Sequence, residues 1–444
     1  MLIALPKGPT LYNPVTHYEL NIKRANKILK RMYNLGWISE NEYKTSLLER
    51  PKVYKRLKNK APYAIDTAIK KLIKKYPDLL YKGYKITLTI DLPTQQIAKE
   101  TIQWNYKRVL KLNNNLNPNQ LNGALININQ QTGEVLAIVG GVDYKKSKFN
   151  RAIQSKRSMG SSIKPFIYQI ALNEGMNPAT LIPDISRKFK IIKDKNETYW
   201  KPKNFEKNTL GLITLREALI HSRNLATINL VLQLGLNNVI DNLYYFGFDK
   251  MNNDLSIALG SVGESLWKVS ELYTIFSNYG KRSKVHIIKT IEIPKDNIKI
   301  IPKYPSIDIE PDYQAYLMIS MLKDVVKKGT GRNANLKDIE IAGKTGTTNL
   351  NKDAWFCGFT PNSETIIWFG NDNYTTLGKW MTGGRVSAPA FKHFYKQLLL
   401  IHPELKRNFK IPKQVKIFIS SNGERELFTP ISPPPDNQSH IPIF

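Results

Sequence analysis

The spacing of apolar residues changes along the chain, and each change marks an element. Over residues 20–35, Leu20, Ile28, Leu29 and Met32 oppose Arg24, Lys27, Lys30 and Arg31, which predicts a basic amphipathic helix stopped by Gly36. A second helix signal opens at Ser39, and residues 51–60, dense in Lys and Arg, read as a solvated connection. At 84–92 the alternation of Ile86, Leu88 and Ile90 predicts a strand, and Asp91-Leu92-Pro93-Thr94 predicts a turn into a helix that ends near Leu112. The asparagine-rich run 113–119 reads as a loop and a domain boundary.

Beyond it, 124–128 and 135–139 are short apolar runs joined by Gln130-Gln131-Thr132-Gly133, the pattern of a hairpin. Helical periodicity dominates 161–280, punctuated by Gly175, Gly235 and Gly247. Strand-like runs return at 339–342, 354–359 and 365–369. This order predicts an α+β fold whose sheet is assembled from both ends of the domain, with the helices between them in sequence. The expected division is a helical segment at 1–55, a linker at 56–119, a main domain at 120–403, and an extended tail at 404–444 that carries Pro433-Pro434-Pro435.

The chain has 444 residues, 41 % hydrophobic and 10 % aromatic, which is material for a large core. Its 66 Lys and Arg against 36 Asp and Glu give a net charge of +30, a balance that favours polyanions. The excess is spread along the whole length and no nucleic-acid-binding motif accompanies it, so nucleic acid is not an expected partner. The single Cys357 excludes an intramolecular disulfide and a multi-cysteine zinc site, and its apolar surroundings make it a core residue. The six histidines lack metal-ligand spacing. There is neither an apolar run of about 18 residues nor an amino-terminal export pattern, so an exported role implies a further amino-terminal piece.

Acyl transfer at neutral pH needs a hydroxyl nucleophile with a base in reach and donors facing the developing oxyanion. Gly160 precedes Ser161, and Ile163, Phe166, Ile167 and Ile170 follow in helical spacing. Ser161 therefore sits at a helix start with Lys164 one turn on. Pro165 suits that first turn, where no amide donor is required. The Ser-x-x-Lys spacing recurs at Ser265/Lys268 and Ser320/Lys323, and Ser-x-Asn occurs at Ser39/Asn41 and Ser420/Asn422 as well as Ser222/Asn224. Lys344-Thr345-Gly346 occurs once. Only Ser161, Ser222 and Lys344 stand in the order that serine β-lactamases and penicillin-binding proteins share, with Arg223 where Asp is commonest.

At this point the sequence resembles the class A penicillin-binding proteins, especially the 1A type, bifunctional peptidoglycan synthases. The blocks that carry the likeness are Lys148-Phe149-Asn150-Arg151-Ala152, Gly160-Ser161-Ser162-Ile163-Lys164-Pro165-Phe166, Ala342-Gly343-Lys344-Thr345-Gly346-Thr347-Thr348, and Asp353-Ala354-Trp355-Phe356-Cys357-Gly358-Phe359-Thr360-Pro361. The start, Ala4-Leu5-Pro6-Lys7-Gly8-Pro9 with Tyr12-Asn13-Pro14, is similar to the close of that family's glycosyltransferase domain. The resemblance implies a transpeptidase domain with an antiparallel sheet and helices on both sides. The family's polymerising glutamates and membrane anchor lie upstream of this segment. Glycan polymerisation is therefore not expected of this chain alone, and a separate glycosyltransferase half is an expected partner. Membrane contact is expected to be indirect, at the periplasmic face of the cytoplasmic membrane where the full-length family works.

The resemblance further implies a D-alanyl-D-alanine stem peptide as donor, β-lactams as inhibitors, and no metal or organic cofactor. In that scheme Ser161 is the nucleophile and Lys164, depressed in pKa by burial near Lys344, takes its proton. Ser222 relays the proton to the leaving D-Ala amine, and Asn224 holds Lys164 and the peptide. Lys344, Thr345 and Thr347, with the side-chain-free backbone of Gly346, bind the donor's end, and the amides of Ser161 and Thr347 form the oxyanion hole. Trp355, Phe356 and His221 read as structural.

Three other readings use the same residues. A class A β-lactamase needs a glutamate opening a Glu-x-x-Leu-Asn segment, and the nearest match, at 233–237, opens with Gln233. A D,D-carboxypeptidase uses the same trio, differing in acceptor access. An inactive cell-wall scaffold would not be acylated by penicillin.

Overall fold

The computed structural model of the chain describes residues 1–53, 59–193, 196–419 and 425–434. The middle of the basic connection expected at 51–60, the Ser420/Asn422 repeat and the end of the proline tail lie outside the described residues. The chain divides into two compact units, Met1–Asn59 and Lys60–Phe444.

The smaller unit holds helices Tyr18–Asn34 and Glu40–Leu48. The first stops before Gly36 at positive φ, and Ser39 opens the second with a full capping box to Glu42. The buried face of the first helix is Asn21, Ile22 and Ala25, whereas Leu20, expected inside, is 40 % exposed. Asn21 turns inward because its amide donates to the carbonyls of Met1 and Tyr12, which pack on that side.

In the larger unit, strands β1 (Leu121–Ile128) and β2 (Val135–Val139) form the hairpin, and β3 (Ala342–Thr347), β4 (Asp353–Phe359) and β5 (Glu364–Asn371) come from the far end of the domain. They make one antiparallel sheet in the order β3-β4-β5-β1-β2. Alternate side chains enter two separate cores. Trp355, Cys357, Ile366 and Trp368 pack with Phe166, Tyr273 and Phe276 on one face, while Phe356, Ile367 and Phe369 pack with Ile102, Phe391 and Phe394 on the other. A sheet covered on both faces has no polar side to alternate with, which is why β4 and β5 read as unbroken apolar runs. The fold is α+β, with the sheet between helical layers.

Four expectations are corrected. The run 56–119 is no linker from Lys60 onward: helix Pro62–Ile73 puts Ala64, Ala68 and Leu72 into one core, and helix Leu92–Leu112, capped by Asp91, puts Ala98, Ile102 and Val109 into the other. The strand expected at 339–342 begins at Ala342 and contains Lys344, Thr345 and Gly346. Its glycines hide it from a hydrophobic pattern, because a Cβ at Gly343 would meet the Phe356 ring and the Cys357 carbonyl at 2.9 Å. The helical stretch 161–280 is interrupted by the paired strands Leu181–Asp184 and Gly211–Thr214. The described part of the tail is not simply extended: Lys416–Ile419 pairs with Arg425–Phe428, and Thr429 and Ser432 bond to Gln314 and Leu172 of the main domain. Among the described residues, no helix is long and apolar enough to cross a membrane.

Candidate active site

Ser161 lies in the 3-10 turn Gly160–Ile163, which runs directly into helix Lys164–Asn173 with Pro165 in its first turn. The turn presses against edge strand β3 at two glycines. A Cβ on Gly160, whose φ is +51°, would stand 2.5 Å from the Thr347 carbonyl oxygen, and one on Gly346 would stand 2.3 Å from Ser162 Oγ. Only backbone without side chains allows the nucleophile's turn and the Lys-Thr-Gly strand this approach. Gly346 thus serves packing, turned toward the Met159–Ser162 side.

Ser222 occupies the turn between helices Leu215–Ile220 and Asn224–Leu234 at φ +54°, a conformation that costs a side-chain-bearing residue about 1–3 kcal/mol. The turn is held from both sides. Its amides at Ser222 and Arg223 donate to Leu219 and Ala218, and the Ser222 carbonyl accepts from Lys164 Nζ at 2.7 Å. Lys164 also donates to Asn224 Oδ1 at 2.8 Å and approaches Ser222 Oγ at 3.4 Å. From the opposite side Lys344 Nζ donates to Ser222 Oγ at 2.8 Å and to the Thr345 carbonyl at 3.1 Å.

Both lysines are fully buried. Burial, and then the charge of Lys344, hold the Lys164 amine well below the ordinary lysine range. Burial also brings Lys344 down to about 7. Among the described residues Lys164 makes no hydrogen bond to Ser161; its short bonds go to the Ser222 carbonyl and Asn224.

Arg223, the departure from the commonest motif, is 3 % exposed and locked in place. Its Nε and Nη2 donate to Asp184 Oδ2 at 3.0 and 2.5 Å, and its Nη1 and Nη2 donate to Asn208. Asn204 bonds the other Asp184 oxygen and accepts from the amides of Asn224 and Leu225, which caps the helix that carries Asn224. Nothing local in the sequence links Asp184, Asn204 and Arg223.

Ser161 is half-buried on the wall of a cleft of about 900 Å3 that Ser222, Asn224, Thr345 and Thr347 also line. Lys164 and Lys344 stay behind that wall. The Thr345 hydroxyl pairs with Thr330 at 2.8 Å, and Thr347 Oγ1 accepts from the Gly383 amide at 3.0 Å. Among the described residues, four further cations, Lys203, Lys328, Arg332 and Arg385, border the cleft against one carboxylate, Glu206. The exposed rings of Phe205 and Trp380 meet edge to face at its rim, 5.9 Å between centroids. The sequence reading missed these rim residues.

The repeated spacings have other work. Ser265 Oγ caps helix Leu266–Ser277 by accepting from the Lys268 amide, and Ser320 accepts from Arg216. His221 pairs with Glu217 at 3.2 Å, and Trp355 and Phe356 are sheet core.

Comparison with known proteins places this geometry. The family profile described as penicillin binding protein transpeptidase domain matches residues 123–396. The chain belongs to the penicillin-binding protein transpeptidase family. It is a homologue of penicillin-binding protein 1A, and the family's work is peptidoglycan synthesis. Penicillin-binding protein 1A of Aquifex aeolicus is 32 % identical over an alignment covering 93 % of this chain and 67 % of that protein. The Neisseria gonorrhoeae protein of the same name is 36 % identical, covering 68 % of this chain and 38 % of that one, so this penicillin-binding protein spans only part of its relatives.

Among solved structures, penicillin-binding protein 1A of Haemophilus influenzae superposes with a TM-score of 0.82 at 23 % identity, covering 98 % of this chain and 86 % of that one. PonA1 of Mycobacterium tuberculosis, in complex with penicillin V, gives 0.66 at 21 % identity, covering 84 % and 99 %. Both likenesses concern the fold. The matched region 123–396 of this penicillin-binding protein contains the Ser161 turn, the Ser222 turn and the Lys344 strand.

Proposed function

We propose that this chain is a serine D,D-transpeptidase that cross-links stem peptides ending in D-Ala-D-Ala through an acyl-enzyme on Ser161, and that β-lactams acylate the same serine. The observation that carries the reading is the meeting of two pKa-depressed lysines at Ser222, Lys164 on its carbonyl and Lys344 on its hydroxyl, behind a cleft wall that presents Ser161.

A neutral Lys164 has two N–H donors and a lone pair. The Ser222 carbonyl and Asn224 Oδ1 take the two donors at 2.7 and 2.8 Å, which leaves the lone pair to accept a proton. Ser161 Oγ attacks the carbonyl carbon of the penultimate D-Ala while its proton passes to Lys164. The C–N bond to the terminal D-Ala then breaks, and that nitrogen takes the proton by way of Ser222, whose Oγ already accepts from Lys344. An amine of a neighbouring stem peptide attacks the ester, forms the new amide, and its proton returns to Ser161. The amides of Ser161 and Thr347 stabilise each tetrahedral oxyanion. The Thr345 and Thr347 hydroxyls receive the donor's carboxylate with the Lys344 charge behind them, and the rim cations draw in peptides that carry carboxylates.

In this reading the chain works at the periplasmic face of the cytoplasmic membrane. Intact mass after incubation with penicillin tests the proposal. One adduct on the parent chain and none on Ser161→Ala is the expected result. An unmodified parent chain, or an adduct that survives the substitution, would overturn the assignment of Ser161.

A further inference from the structure

A second cavity, of about 880 Å3, lies between helix Asp312–Lys327, the approach to β3 at 335–341, and the segments 407–411 and 425–427. Among the described residues, only Lys328 borders both this cavity and the catalytic cleft. Seven cationic side chains and three carboxylates line it among the described residues. Three of the cations are already paired: Arg216 with Asp324 and Glu426, Lys323 with Glu340, and Lys328 with Glu217. The other four, Lys327, Lys337, Arg407 and Arg425, have no ion pair among the described residues, and Asp338 is the one lining carboxylate left to oppose them.

Arg407 adds a sharper observation. Its Nη2 donates to the Pro403 carbonyl at 3.0 Å, whereas its Nη1 is shut off from solvent with no partner among the described residues. A buried donor left unmet is costly, and the guanidinium that carries it lines the cavity. Two guanidinium groups, Arg407 and Arg425, offer planar forks that match carboxylate and phosphate oxygens. The volume is that of a small-ligand site.

We propose that this cavity is a binding site for a small ligand carrying two or more carboxylate or phosphate groups, held chiefly by Lys327, Lys337, Arg407 and Arg425. The site is separate from the cleft, and its occupancy does not depend on the Ser161 reaction.

Titration calorimetry on the full chain tests this, with citrate, pyrophosphate and acetate as probes at matched ionic strength, so that diffuse attraction to a chain of net charge +30 is screened equally. Citrate or pyrophosphate should bind at least about tenfold more tightly than acetate, as expected where several charge-assisted bonds act together. Whichever of the two binds more tightly identifies a carboxylate or a phosphate ligand. The combined Lys327→Gln, Lys337→Gln, Arg425→Gln variant should weaken that binding at least about tenfold while keeping the parent's thermal melt, because none of the three cations is in an ion pair among the described residues. If the combined variant does not fold, Lys337→Gln and Arg425→Gln singly should each weaken binding severalfold. Equal, weak binding of all three probes would overturn the proposal, as would undiminished binding to the variants.

Discussion

Lys164 and Lys344 donate to the same serine from opposite sides, Lys164 to the Ser222 carbonyl at 2.7 Å and Lys344 to its hydroxyl at 2.8 Å. Two ammonium charges this close in a buried site raise each other's cost, so the pair favours one charge over two. The rate of penicillin acylation should therefore trace a bell against pH. It falls as pH drops and Lys164 gains its proton. It falls again above about 7, where Lys344 of the free enzyme loses the charge that draws the carboxylate. Stopped-flow acylation rates that stay flat from about pH 5 to about pH 9 would exclude this division of labour.

Ser222→Ala isolates the hydroxyl, because the backbone carbonyl that holds Lys164 remains. Acylation should slow by a factor on the order of 10² to 10⁴, the usual worth of a positioned proton carrier. The melting temperature should barely move. A loss of both together would instead make Ser222 a structural residue.

The Arg223–Asp184 pair is buried on both sides, 3 % and 0 % exposed. Asp184→Asn leaves the guanidinium with only the half-exposed Glu206 as counter-charge and should destabilise the domain by about 3 kcal/mol. Arg223→Lys should also fail, since Nε, Nη1 and Nη2 are each used and an ammonium cannot reach all three acceptors. Denaturant melts of both variants check this, and a Lys variant of parental stability would show that charge alone suffices.

Gly160→Ala forces a Cβ to 2.5 Å from the Thr347 carbonyl at a φ of +51°. Acylation should be largely lost, with strain of about 1–3 kcal/mol in the melt. Gly263→Ala is the matched control, since nothing lies within 4 Å of its Cβ. Its acylation rate should equal the parent's.

Glu364 is buried, accepts from Ser277 Oγ at 2.7 Å, and burial holds its pKa well above the usual carboxylate range. The folded state therefore binds a proton that the unfolded state releases above its ordinary pKa of about 4.5. This group's contribution to stability is full below that value and declines as pH rises toward the folded pKa. Glu364→Gln should flatten that decline and leave the protein more stable than the parent at about pH 8. Parallel melts of the two proteins at about pH 5 and about pH 8 decide it, and identical slopes would mean that Glu364 does not carry the proton.

Much of the frame was legible because it depends on short-range patterns. The hairpin of β1 and β2, the caps at Ser39 and Asp91, and the helix that follows Ser161 each rest on neighbours within a few residues. Strand β3 was misplaced for the opposite reason: its glycines answer to Phe356, Cys357 and the Ser161 turn, which are distant in sequence. The expected linker was misread because Ala64 and Ala68 give a weak periodic signal, although both are fully or almost fully buried.

By itself the sequence determined the order of the three motifs, and so which serine, which Ser-x-Asn turn and which Lys-Thr-Gly belong together. It could not say that Lys164 and Lys344 meet at Ser222, that Arg223 answers to Asp184, or that Arg407 faces an open cavity. Those facts are tertiary. Covalent neighbours fix a motif's local shape, but the pKa of a buried lysine, the partner of a buried guanidinium and the space left beside a helix are set by whichever distant segments folding packs against them.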